Sequence, residues 1–220
     1  MKRIVLIHTV KSVLDSFEKQ LRSVIGDQVV INNILDDFLV TDFNDTGHFS
    51  PENRRRLEND VENAMLAHAD IIVATCSTIT PTITALRPFV SVPLIAIDDE
   101  MCRQAVRFGD TIAVLATAQS TVEPTVSKIT YEAAQAGVDI HIETAVCPEA
   151  IAALRANQKE RHDTLVLQMA EKITGKDAIV LAQASMAHLE GQVAQLCGCK
   201  TLSSVSLCID QIAKTLKELP

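Results

Sequence analysis

The residues best suited to chemistry lie in the stretch 70–81, DIIVATCSTITP. Residues 71–75 read as a short buried strand, Cys76-Ser77-Thr78 as a polar corner, and Thr80-Pro81 as an N-cap and first-turn proline that open a helix. The free N–H groups and positive end of a helix favour anions, whether a bound carboxylate or a cysteine thiolate. A thiol at such a corner can serve as a base or a nucleophile.

The stretch has an echo 107 positions on, where residues 177–186 read DAIVLAQASM and place Gln183 on Cys76, Ala184 on Ser77 and Ser185 on Thr78. At a shift of 108, residues 4–12 (IVLIHTVKS) match 112–120 (IAVLATAQS), pairing Thr9 with Thr117 and Ser12 with Ser120. The helical rows Leu57, Val61, Met65 and Leu165, Met169, Ile173 correspond at 108 as well. One shift kept across several elements in the same order points to a duplicated α/β unit.

Length and composition narrow the field. The 220 residues, 47% hydrophobic, suffice for one large domain or two small lobes. A formal charge of −8 with only 3% aromatics argues against nucleic acid as a partner. The longest apolar run, near Phe89 to Ile97, is too short to span a bilayer, and Met1-Lys-Arg-Ile-Val-Leu leads into a strand rather than a signal sequence. No membrane partner and a cytoplasmic location are expected. The six cysteines show neither zinc-site pairs nor the density of a disulfide scaffold, so reduced thiols are expected.

The elements follow from periodicity and caps. Residues 4–8 form the first strand, followed by a helix with Val13, Phe17 and Leu21 on one face and Gly26 at its end. Val29 to Leu35 reads as a strand and Asp42 to His48 as a loop that could act as a lid. Ser50-Pro51 opens the next helix, with Arg54, Arg55 and Arg56 on a solvated face. After the Cys76 corner a helix ends near Arg87-Pro88, and 92–97 is a strand. The plan then repeats: a helix at 101–107, strands at 111–116, 138–144 and 178–182, helices between them, a helix at 186–197 and a final helix at 204–218. The expected fold class is α/β, two pseudo-twofold-related lobes, each a short mostly parallel sheet flanked by helices. The expected lobes are 1–97 plus 206–220, and 98–205.

Ligands of open parallel sheets lie beyond the carboxyl ends of the strands. With the lobes facing each other, Cys76, Ser77 and Thr78 would meet Gln183, Ala184 and Ser185, flanked by Thr9, Ser12, Thr117, Ser120 and Thr121. Hydroxyls and backbone amides of this kind suit one small carboxylate. No His, Asp and Glu share these corners at ligand spacing, so no metal site is expected.

The corners ATCST at 74–78, VLATAQST at 114–121 and LAQASM at 181–186 resemble the three signature corners of the aspartate/glutamate/hydantoin racemase superfamily, and the similarity extends over essentially the whole chain. The resemblance implies a cofactor-independent enzyme, a homodimer, and cysteines on two facing corners that remove and return a proton beside a carboxylate. The chain departs from that pattern at the second cysteine position, which is Gln183. An amide does not exchange a proton at neutral pH as a thiol does. His8, on the corner where some relatives carry an acidic residue, is a candidate acid or base; otherwise it is a histidine hydrogen-bonded at a strand end. His188 could reach only the rim. Cys76 could instead be a small buried apolar residue; Cys102, Cys147, Cys197, Cys199 and Cys208 read as structural, with Cys147 a remote alternative thiol.

The expected function is a racemase- or isomerase-type enzyme acting with one cysteine at the carbon next to the carboxylate of a small acid or amino acid. Cys76, Gln183 and His8 are the catalytic candidates. The substrate-binding candidates are Thr9, Ser12, Ser77, Thr78, Thr117, Ser120, Thr121, Ala184 and Ser185. The alternatives are a decarboxylase of a substituted malonate and a non-catalytic small-acid-binding protein.

Overall fold

A strand with no polar residue between its ends suits a sheet covered on both faces. That is where the computed structural model, which describes residues 1–219, puts such strands. Strands β1 (Arg3–His8) and β3 (Ile71–Ala74) are buried almost throughout and pair in parallel, Ile4 opposite Ile71 and Ile7 opposite Ala74. The half-polar β2 (Val30–Leu35) takes one edge beside β1, and β4 (Leu94–Ala96) follows β3, giving the parallel order β2-β1-β3-β4. The connecting helices are α1 (Lys11–Ile25), α2 (Phe38–Thr46), α3 (Pro51–Leu66) and α4 (Thr80–Leu86). Val5, Ile7 and Ile72 pack with Leu39, Leu57, Val61 and Ile83 to form the core on one face.

The second unit is built the same way. It contains α5 (Asp99–Phe108), β5 (Thr111–Ala116), α6 (Val122–Ala136), β6 (His141–Val146), α7 (Pro148–Arg155), α8 (Lys159–Ala170), β7 (Ala178–Leu181), α9 (Glu190–Cys197) and β8 (Lys200–Ser203). The sheet order is β6-β5-β7-β8, again all parallel. The register repeats as well: Ile112 faces Ala178 as Ile4 faces Ile71, and Thr201 faces Ile179 as Leu94 faces Ile72. The chain divides into two compact units, Met1–Ile97 with the segment from Ser206 on, and Asp98–Val205; helix α10 (Ser204–Glu218) starts in the second and continues in the first.

Both units close the start of the central strand with an aspartate. Asp70 Oδ2 accepts the Arg3 N–H at 2.6 Å, and Asp177 Oδ2 accepts the N–H groups of Asp110 (3.1 Å) and Thr111 (2.9 Å) and the Thr111 hydroxyl (2.6 Å). Those bonds hold the Asp177 carboxyl below the usual range, Thr111 contributing most.

Several expectations need correction. Residues 42–46 are helical rather than loop, because α2 buries Leu39 and its polar residues are tied down. Asn53 Nδ2 donates to Leu39 O and Asp42 Oδ2, and the Ser50 hydroxyl donates to Asp42 Oδ2. Ser50 does cap α3, accepting the Asn53 N–H at 3.1 Å with Pro51 behind it. Thr80, by contrast, lies inside α4; a 3-10 turn at Ser77–Ile79 comes first, and its N-cap is Cys76. Strand β8 has no counterpart in the sequence reading, although it is the twin of β4. In α8 the fully buried row is His162, Val166 and Ala170; of the expected row, Ile173, just past the helix, is buried in the core, while Leu165 and Met169 pack against it only partly covered.

Gly109, at the end of α5, has φ +155°, and a Cβ there would lie 2.3 Å from Asp177 Cγ. Gly109→Ala is therefore expected to push Asp177 off the start of β5. The backbone term alone costs about 1–3 kcal/mol. The loss should appear as a lowered Tm in calorimetry, and an unchanged Tm would contradict this reading of the Asp177 clamp.

Candidate active site

Where a parallel strand ends and the chain turns into a helix, backbone N–H groups leave the ladder and need new acceptors. At four such corners the corner residue has nearly the same backbone conformation. Cys76 has φ −140°, ψ 125° and its twin Gln183 has −143°, 139°; Val10 has −137°, 123° and its twin Ala118 has −120°, 131°. Each is extended and each precedes a helical turn.

In the second unit the donors of the corner converge on one atom. Gln183 Oε1 accepts the Thr117 N–H at 2.5 Å, the Ala118 N–H at 3.1 Å and the Thr117 hydroxyl at 3.0 Å. Three donors on the oxygen fix the amide orientation, so Nε2 is the group Gln183 has left to offer. Thr117 is fully buried and Gln183 half-buried. Ser185 Oγ is buried with no hydrogen-bond partner among the described residues.

In the first unit the residue matching Gln183 is Cys76, a half-buried free thiol. Ser77, Thr78 and Thr9 around this corner are buried, and the Thr9 hydroxyl has no partner among the described residues. Ser12 is exposed on the first turn of α1, where its carbonyl accepts the Ser16 hydroxyl. Ser120 is half-buried, and Thr121 donates to Ala118 O at 2.9 Å.

His8 is fully buried with both ring nitrogens engaged. The Glu18 carboxylate accepts from Asn33 Nδ2 at 2.5 Å, which turns Asn33 Oδ1 toward His8. Nε2–H therefore donates to Asn33 at 3.0 Å, and the Nδ1 lone pair accepts the Thr75 hydroxyl at 2.7 Å. Burial lowers the His8 pKa against the opposing pull of Asn33 and Glu18. The imidazole is thus a neutral link between Asn33 and the residue preceding Cys76. The sequence reading missed Asn33 and Glu18 as its partners, because neither stands near His8 in the chain.

His188, on the turn after Gln183, is bound to Asp163 Oδ2 (2.8 Å) and Lys159 Nζ (2.8 Å) of α8. Burial would raise the Asp163 carboxyl, but hydrogen bonds from Lys159, His162 and His188 outweigh it and hold its pKa at about 2. Arg56 Nε and Nη2 hold Asp36 at 2.9 and 2.8 Å, so Arg56 is already paired.

Burial pushes the Cys102 thiol well up and raises Cys197 and Cys199 too. Cys147 Sγ donates to Glu149 Oε2 at 3.7 Å. Among the described residues no group of three or more His, Cys, Asp or Glu is placed to hold a metal ion, and no helix is long and apolar enough to cross a membrane.

Residues 4–212 match the Asp/Glu/Hydantoin racemase family. The chain belongs to that family. Solved structures of similar fold include glutamate racemase from Thermus thermophilus in complex with β-chloro-D-alanine (17% identity, TM-score 0.64, covering 99% of this chain and 81% of that one). Allantoin racemase from Klebsiella pneumoniae (17%, 0.66, 99% and 88%) and Picrophilus torridus aspartate racemase (12%, 0.67, 99% and 95%) are comparable. At such identities the likeness shows the fold alone. No curated protein is a sequence match to the chain. Membership of the racemase family supports an isomerase-type enzyme.

The His8 network predicts a pH effect. With its folded pKa below the unfolded 6.5, the unfolded chain binds more protons below pH 6.5, so stability falls as the pH drops from 6.5 toward the folded value. Chemical denaturation of the wild type should show this loss, and His8→Gln should flatten it. An imidazole that titrates above 6.5 by NMR would contradict the assignment.

Proposed function

We propose that this chain is a cofactor-independent isomerase acting at the carbon beside the carboxylate of a small acid, with Cys76 as its one proton-handling thiol. The observation that supports it best is the contrast between two matching corners: a half-exposed free thiol at Cys76 and, at Gln183, an amide whose oxygen is held by three donors. Family membership supplies the reaction class.

In this reading the Cys76 thiolate takes the proton from the α-carbon, and the electron pair left behind spreads onto the substrate carboxylate. Fixed donors in a dry corner stabilise that charge, usually the largest single contribution to such catalysis. Ser77, Thr78 and Thr9 supply them. The proton then returns from Cys76 to the same face, which exchanges hydrogen with retention, or a water supplies it to the opposite face, which inverts the centre. His8 serves as a positioning residue for Thr75 and the corner rather than as an acid or base, since both its ring nitrogens are engaged. One thiol also suffices for a malonate decarboxylase, where carbon dioxide leaves with its bond pair on the α-carbon and Cys76 protonates that carbon.

A panel of small acids in heavy water, read by NMR, tests the reading. Deuterium should enter the carbon beside the carboxylate, and Cys76→Ala should slow this by roughly 10²–10⁴-fold. Iodoacetamide should modify Cys76 ahead of Cys102, Cys197 and Cys199, whose thiols burial raises. Exchange indifferent to Cys76→Ala would sink the thiol mechanism. Ligand-induced stabilisation without exchange or product would make the chain a binding protein.

A further inference from the structure

Cys197 and Cys199 are the only two of the six cysteines separated by a single residue. They bracket Gly198 on the turn that leads from α9 into β8. Gly198 has φ 65° and ψ 20°, the left-handed helical conformation that its missing Cβ permits. Because the peptide units on either side are rigid, those two angles set the separation of the flanking α-carbons. A helical step of either hand places Cα atoms two residues apart at about 5.4 Å, well inside the range of about 4.4–6.8 Å that a disulfide spans. An extended residue would hold them about 6.7 Å apart, at the far end of that range.

Both side chains also turn to the same side, since Cys197 and Cys199 pack against one apolar cluster that includes Ala170, Ile173, Ile179 and Val193. Both are half-buried free thiols within reach of solvent. Burial raises the two thiols, and a charge on Cys197 raises Cys199 further, which it does only when the sulfurs are near neighbours.

We propose that Cys197 and Cys199 form a dithiol–disulfide pair, a site of reversible oxidation by small disulfides that closes the turn between α9 and β8. One thiol loses its proton, and its thiolate attacks a sulfur of the incoming disulfide. A mixed disulfide forms, the old S–S bond breaks and one small thiolate leaves. The second protein thiol, deprotonated in turn, attacks the mixed disulfide at the protein sulfur, forms the Cys197–Cys199 bond and expels the other small thiolate. The two cysteine protons end on the two released thiols, so the pair gives up two electrons and the small disulfide takes them.

The turn accommodates both states. In the reduced state Cys197 Sγ donates to Ala170 O at 3.3 Å. In the oxidised state it has no proton to give, yet Ala170 O keeps the Ile173 N–H at 2.9 Å. Oxidation therefore costs one weak hydrogen bond and leaves that carbonyl satisfied. The inference does not rest on the chemistry proposed for Cys76.

Mixtures of oxidised and reduced glutathione are the probe. The full chain is quenched in acid, its free thiols are alkylated, and the peptide that carries residues 197–199 is read by mass spectrometry. The oxidised peptide should be lighter by two hydrogens, and excess reduced glutathione should restore both thiols. An intramolecular pair responds to the ratio of oxidised glutathione to the square of the reduced form, and the oxidised fraction should climb from a tenth to nine tenths over about an eighty-fold change in that ratio. A mixed disulfide follows the first power instead. Cys197→Ser and Cys199→Ser should each lose the closed species and carry one glutathione on the thiol that remains. The wild-type titration decides by itself if either variant does not fold. Thiols at 197 and 199 that stay reduced throughout, mixed disulfides that never close on each other, or a bond from either sulfur to another cysteine would overturn the pair.

Discussion

The need of strand-end amides for an acceptor is the constraint on which the rest of this structure turns. A parallel sheet must send its chain out of the ladder at every carboxyl end, and the extended corner residue leaves N–H groups aimed away from the strands. In the second unit Gln183 supplies the oxygen that satisfies them. In the first the matching residue is Cys76, which offers no oxygen, and the Thr9 hydroxyl stays buried without a partner among the described residues. The two corners share their backbone conformation at the corner residue, and they differ in whether a side-chain oxygen of the chain itself accepts the strand-end donors.

Burial also decides the role of His8. A histidine at a strand end beside a thiol has the chemistry of an acid or base, yet the Glu18 carboxylate orients Asn33, Asn33 fixes the ring tautomer, and Thr75 occupies the remaining nitrogen. These bonds tie α1, β2 and β1 to the residue immediately before Cys76. The network gives the corner a fixed geometry at the expense of a proton shuttle, and desolvation keeps the ring neutral.

The duplication is strictest where packing leaves least freedom. The central pairs β1–β3 and β5–β7 share one register, and the aspartates that clamp their starts, Asp70 and Asp177, are twins. One edge keeps its register, Leu94 opposite Ile72 and Thr201 opposite Ile179, while the other has drifted: Ile4 pairs with Ile31 but Ile112 with Ile142, a longer spacing, and the buried row of α8 is offset from that of α3. Strands buried on both faces cannot shift without exposing their apolar side chains, whereas an edge strand or a covering helix can slide and repack.

By itself the sequence determined the two parallel α/β repeats, the positions of the corners and the place of Cys76 within one of them. Those features rest on local patterns, the all-apolar runs at 4–7 and 71–74, the Ser50-Pro51 cap and Gly26, whose physics involves only near neighbours. The helix at Phe38–Thr46 escaped it because tertiary partners from α3 hold that segment, and β8 escaped it because three of its four residues, Lys200, Thr201 and Ser203, are polar and leave no apolar run. Only the tertiary structure decided that Gln183 is an acceptor bound to Thr117 and Ala118, that His8 is neutral and engaged, and that Thr9 is not satisfied. The Gln183 and His8 contacts depend on which groups approach within hydrogen-bond distance across 25 to 67 residues of chain. No spacing along the chain encodes that approach, because the packing of strands and helices sets it.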